Sequence, residues 1–286
     1  MIIFWYTLDM DELQKKKQWT MIISGLVAFA GAEAIAFVSA PRALKSFVSR
    51  DSTPEEGLAA LLAVLLVFFS FLVLVRYFRE RNLLGFFFFI SLFFGLYFLF
   101  GLYLPAIPAL AFSLLLILSK ALGRRVITQN LALLPGLAGI GVAVGLSFTP
   151  YGALLLLAAL SVYDIIAVYF TKHMVALFRN MLKGGVIPAI IIPEKFSGLI
   201  QKIEDIKPGA GFMLIGTGDL ALPTIFVVAV SGVGTSASLA SGLGSMIGFV
   251  ATELIFTHQR FRRPMPALPP IATGTILGFL VERLLY

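Results

Sequence analysis

Between Leu83 and Ser119 lie 37 residues without a single charge. At about 1.5 Å per residue, one helix of that length would run roughly 55 Å, against a bilayer hydrocarbon core of about 30 Å. The run must therefore cross an apolar medium and return. Pro105 and Pro108 mark the break. Composition agrees: hydrophobic residues make up 59% of the chain and charged ones 13%, about half the roughly 25% usual in soluble domains. The chain has no cysteine and only two histidines, His173 and His258. Disulfides, thiolate metal sites and a cysteine nucleophile are excluded. A multi-histidine metal site or a serine–histidine triad is hard to build, and no metal or organic cofactor is implied.

The other apolar runs divide in the same way. Thr20–Ala40 carries only Glu33, and Leu58–Val75 carries no charge. Leu131–Thr171 holds Asp164 alone and is split by the turn signal Phe148-Thr149-Pro150-Tyr151-Gly152. Gly209–Thr257 holds Asp219 and Glu253 and is split near Ser231–Ser236; Ala267–Leu285 is the last run. The reading is an all-α polytopic membrane protein of nine helices in one domain. Its spans lie at about 20–40, 58–75, 83–104, 106–119, 131–148, 151–171, 211–230, 235–257 and 267–285, with a loop at 172–208.

Basic residues orient it. The net charge is +7, and a nucleic-acid partner is one reading of such a charge. In a membrane protein the positive-inside rule explains it better. With the N-terminus cytoplasmic, 18 of the 22 Lys and Arg fall on the inner side. Merging Leu83–Ser119 into one span lowers the best split to 15 against 7. No cleavable signal peptide is expected, because charged Asp9–Lys17 precedes the first apolar run. Small residues four apart, Gly141 with Gly145 and Gly244 with Gly248, read as close helix packing.

Ionisable groups inside a membrane are costly and mark function by default. Glu282 and Glu253 lie near helix ends and read as snorkelling groups. Glu33 reads as a packing or hydrogen-bonding residue. Asp164 and Asp219 differ. They fall on sequential antiparallel spans, about 10 to 15 Å below the cytoplasmic surface. Two carboxylates in a low-dielectric site share a proton and titrate as a pair. That is the equipment of an aspartic protease, in which one carboxylate takes a proton from water and the other polarises the scissile carbonyl. On geometry alone, proteolysis and ion coupling stand level. Gly216 and Gly218 beside Asp219 leave room for an extended substrate backbone. Pro266-Ala267-Leu268-Pro269 opens the last span on the same side.

Tyr163-Asp164 in the sixth span, Gly216-Thr217-Gly218-Asp219 in the seventh and Pro266-Ala267-Leu268 at the start of the ninth resemble the presenilin and signal-peptide-peptidase family of intramembrane aspartyl proteases. The resemblance implies that Asp164 and Asp219 are catalytic. It implies that Tyr163, Gly216, Gly218, Pro266, Ala267 and Leu268 shape the active site. It also implies a multi-pass protein of the cell membrane, in contact with lipid, that cuts a transmembrane helix of another protein. The inner loop and the Pro-Ala-Leu-Pro form look like presenilin, and the compact chain is similar to microbial, archaeal homologues. The 172–208 loop is far shorter than in animal presenilins, which argues against an activating cleavage there. Obligate partner subunits are not expected; a homo-oligomer stays open. The rivals are a proton- or cation-coupled transporter or channel, and a non-catalytic scaffold. The apolar run within Val186–Ile192 reads as a short edge strand that pairs with the substrate backbone, or as an interfacial anchor.

Overall fold

The computed structural model describes residues 12–46, 81–170, 187–206, 211–258 and 265–285. The span expected at 58–75, His173 and part of the 172–208 loop lie outside them.

The described chain is mostly helical. Helix α1 is Glu12–Ser46, α2 Arg81–Gly101, α3 Ala106–Gly123, α4 Val126–Gly145 and α5 Pro150–Ile165. After a two-stranded sheet come α6 Thr217–Ala229, α7 Thr235–His258 and α8 Leu268–Leu285. Six described helices are long and apolar enough to cross a membrane; Gly85–Gly101 and Thr217–Gly232 are shorter apolar helices. The uncharged run breaks between α2 and α3, where Leu102 to Pro105 form a turn. At the α4–α5 turn, Pro150 opens the helix and Thr149 caps it, its hydroxyl accepting from the Gly152 amide at 3.1 Å. Proline suits that position because its missing N–H has no helical acceptor to lose.

Glycine lets the helices meet backbone to backbone. A Cβ at Gly244 would fall on the Gly274 carbonyl, and one at Gly278 on the Ala240 carbonyl. Gly95 and Gly139 approach each other in the same way between α2 and α4. Gly141 and Gly145 of α4 receive Thr224 and Ile225 of α6. In lipid, where apolar burial gives little drive, such close contact supplies the association energy.

Glu33 joins α1 to α7: the Ser245 hydroxyl contacts its two carboxyl oxygens at 2.7 and 2.8 Å. Glu253 and Glu282 do not snorkel. Both are buried against neighbouring helices, and Glu282 accepts a 2.5 Å bond from Ser236. Helix–helix contact covers them, which position along the chain could not reveal.

Two features depart from an all-α chain with a span at 211–230. β1 (Ala189–Pro193) and β2 (Phe212–Gly216) pair antiparallel, with Ile190 opposite Ile215 and Ile192 opposite Met213. Helix α6 therefore begins at Thr217, directly after the sheet. Periodicity cannot tell a short, wholly apolar strand from a helix segment. Here pairing with the isoleucine run satisfies the backbone of Met213 and Ile215.

Candidate active site

Asp164 sits one residue before the end of α5, where the helix widens into a π turn, Ile166–Phe170. Such turns re-aim side chains and often occur at functional sites. Asp219 is the third residue of α6, with Gly216 as the N-cap. In the expected span at 211–230 it would lie well inside a helix; instead β2 occupies the stretch before it. Asp219 thus stands at the positive end of the α6 dipole, where negative charge is stabilised.

Each aspartate is 4% exposed, and the two carboxyls act on each other electrostatically. Oδ2 of Asp219 is buried with no hydrogen-bond partner among the described residues, as is Ser161 Oγ, one turn before Asp164. Tyr163 is half-buried and also lies within the field of Asp164. Gly216 is buried at the strand end, while Gly218 is exposed, with open space where a Cβ would stand.

Pro266, Ala267 and Leu268 are buried. The Leu268 amide donates to Asp164 Oδ2 at 3.2 Å. Leu268 is the first residue of α8, so this N–H has no acceptor within its own helix. Its side chain packs with Leu156, Leu157 and Phe226. The Ala267 carbonyl lies 3.4 Å from Thr252 Oγ1 on α7. The Pro-Ala-Leu segment thus both lines the site and bonds to an aspartate. The backbone bond was not legible in the side-chain pattern.

The sheet revises the expectation for Val186–Ile192. The bonds Thr217 N to Pro188 O (3.1 Å) and Glu194 N to Gly211 O (2.8 Å) set its phase. Ile190 and Ile192 face β2, and Ala189 and Ile191 face away from it. That far side is taken: Asn130 Nδ2 donates to Ile191 O at 2.6 Å, and Ile191 N donates to Asn130 Oδ1 at 3.0 Å. Gln129 Nε2 donates to Ile187 O and Ala189 O at 2.6 and 3.1 Å. β1 is therefore an inner strand and has no edge to offer a substrate. The other edge is that of β2, which is buried too; there the outward amide and carbonyl of Leu214 have no partner among the described residues. Sequence reading missed Gln129 and Asn130. Their one signal was an amide pair just before an apolar span.

No group of three or more His, Cys, Asp or Glu able to hold a metal occurs among the described residues.

A mainly helical membrane chain with two buried, interacting aspartates is the framework of an intramembrane aspartate protease. The model of the family described as "Signal-peptide peptidase, presenilin aspartyl protease" matches residues 19–286. The chain belongs to that family and is an intramembrane aspartyl protease, a hydrolase of the multi-pass membrane class. No curated protein matches it. Solved structures do. One, a presenilin family intramembrane aspartate protease in space group C222, is 23% identical with a TM-score of 0.64, covering 93% of this chain and 99% of that one. Another, in space group P2, is 23% identical with a TM-score of 0.62, covering 91% and 96%. At that identity the structures speak for the fold.

Proposed function

We propose that Asp164 and Asp219 are the catalytic pair, and that they hydrolyse peptide bonds within a transmembrane helix of a substrate protein. The observation that carries this is the burial of both carboxyls on helices α5 and α6, which pack against each other, with Asp219 Oδ2 free of any described partner. One carboxylate accepts a proton from water as the water oxygen attacks the scissile carbonyl carbon. The other carboxyl, protonated, donates to the carbonyl oxygen as it gains charge. The proton then passes to the leaving nitrogen, the C–N bond breaks, and a new acid and a new amine result. Pro266, Ala267 and Leu268 shape the cleft, Leu268 through its amide. Tyr163, Gly216 and Gly218 complete its wall. Single replacement of either aspartate tests the assignment.

A substrate helix has its backbone bonded internally, so it unwinds before attack. The exposed amides and carbonyls then need partners, and the unpaired edge of β2 supplies them just before Asp219 once the substrate displaces what covers it. Beyond the loss of a buried leucine side chain, which Leu214→Ala measures alone, Leu214→Pro removes an outward-facing amide and leaves the β1–β2 bonds in place. It lowers cleavage at least fivefold while the protein stays folded. Equal rates for wild type and this variant, with a single-span substrate in liposomes, would remove the edge from the account.

The whole chain spans nine times, with the N-terminus cytoplasmic and the C-terminus outside. The placement of 18 of 22 basic residues supports this. Reporter fusions after Lys172 and after Ser231 then report opposite sides. The same side for both would undo the pairing of antiparallel spans that places the aspartates. The transporter reading loses ground to the family match, and the protein acts in contact with lipid and without an obligate partner subunit.

A further inference from the structure

The geometry points to Gln129 and Asn130 as positioning residues for Asp219, holding the sheet that sets where helix α6 begins. The inference rests on the catalytic assignment above.

Both side chains leave their own helix to bind backbone about sixty positions away in sequence. Asn130 makes a closed pair with Ile191, donating at 2.6 Å and accepting at 3.0 Å. Gln129 donates to the carbonyls of Ile187 and Ala189 at 2.6 and 3.1 Å. The orientation of each amide is forced. Carbonyls can only accept, and Ile191 presents one donor and one acceptor. Together the two side chains imitate a neighbouring strand along β1. Neither is occupied in capping α4, because Thr128 serves there: its hydroxyl accepts from the Arg125 amide at 3.2 Å.

A second, parallel attachment surrounds them. The Val126 amide donates to Gln201 O at 3.1 Å, and the Ile203 amide donates to Arg124 O at 2.8 Å. Arg124 turns the chain here with a φ of 43°, in the left-handed region. It also pairs with Glu204 at 2.7 Å. The start of α4 is thus a fixed platform for the segment that follows β1 as well.

From Asn130 the path to the aspartate is short and buried. Asn130 holds Ile191, whose neighbours Ile190 and Ile192 pair with Ile215 and Met213 of β2. β2 ends at Gly216, which is also the N-cap of α6, and Asp219 lies in the first turn. Few bonds in that path can slip independently. A displaced β1 shifts β2, and a shifted β2 moves the first turn of α6. Misplacement of a catalytic group by about 1 Å can cost on the order of a hundredfold in rate. The effect falls on the chemical step.

The test uses the full-length protein in liposomes with a single-span substrate. Asn130→Leu and Gln129→Met keep volume and remove the amides. Each variant lowers kcat per folded molecule about tenfold or more and leaves KM within about twofold. Folded fraction is read from circular dichroism and thermal melting. Amide exchange at Met213 and Ile215 quickens in both variants, while exchange in the middle of α4 does not change. If kcat per folded molecule equals wild type in both variants, the residues position nothing and the proposal is overturned. If neither variant folds, they are scaffold residues and it is overturned as well. Asp219→Asn runs alongside. An inactive Asp219→Asn beside fully active amide variants refutes this inference alone; an active Asp219→Asn refutes the catalytic assignment instead.

Discussion

Asp164→Asn and Asp219→Asn, each made alone, abolish cleavage and leave the fold in place. Asparagine matches aspartate in size, so the packing around two buried side chains is kept. It can neither take a proton from water nor give one to a carbonyl. Acid–base catalysis by a positioned group contributes roughly 10²- to 10⁴-fold. A pair working in concert loses at least that much when either member goes. Stability does not fall, because a neutral amide replaces a carboxyl that has to be buried. Purified variants, melted in detergent and then assayed by mass spectrometry of the products, separate the two effects. A well-folded variant with substantial turnover would refute the assignment of that residue.

The second large effect is expected at Leu268. Its amide donates to Asp164 Oδ2 at 3.2 Å, and it opens α8. Proline is tolerated at a helix's first position. Leu268→Pro therefore deletes the hydrogen bond without breaking the helix. A hydrogen bond to a charged group contributes about 1.5 to 3 kcal/mol, which corresponds to roughly 10- to 150-fold in rate. The substitution also takes the leucine side chain from its cluster with Leu156, Leu157 and Phe226. Leu268→Ala is the control, since it loses the side chain and keeps the amide. It is destabilised by about 2 to 5 kcal/mol but cleaves nearly normally once folded. The difference in rate per folded molecule between the proline and alanine variants isolates the amide. No difference would mean that the ninth expected span shapes the cleft without touching the chemistry.

Membrane character, the break near Pro105 and the two aspartates could be read from the chain because each is a local contrast. A charge among forty apolar residues stands out, and so does proline in an uncharged run. The same contrast exposed the Gly-Thr-Gly-Asp segment and the Pro-Ala-Leu segment. What stayed hidden depends on partners distant in sequence. Phe212–Gly216 is as apolar as any helix turn and becomes a strand only because Ala189–Pro193 lies beside it. That pairing moves Asp219 from the body of a helix to its first turn. The Ile190–Ile192 run was recognisable as a strand. Its occupied edges were not, because the groups that fill one of them, Gln129 and Asn130, come from another helix. Glu253 and Glu282 resembled interfacial residues by position, and neighbouring helices bury them.

The most direct test of the central claim compares four proteins in liposomes: wild type, Asp164→Asn, Asp219→Asn and the double variant. Residues that act as one unit are strongly non-additive, so removing both costs no more than removing either. The measured quantity is the initial rate of appearance of fragments from a single-span substrate, identified by mass. Cleavage by the wild type, with all three variants at one common background, is the predicted result. Losses that multiply from the single variants to the double one would show two independent contributions, and would contradict a catalytic pair.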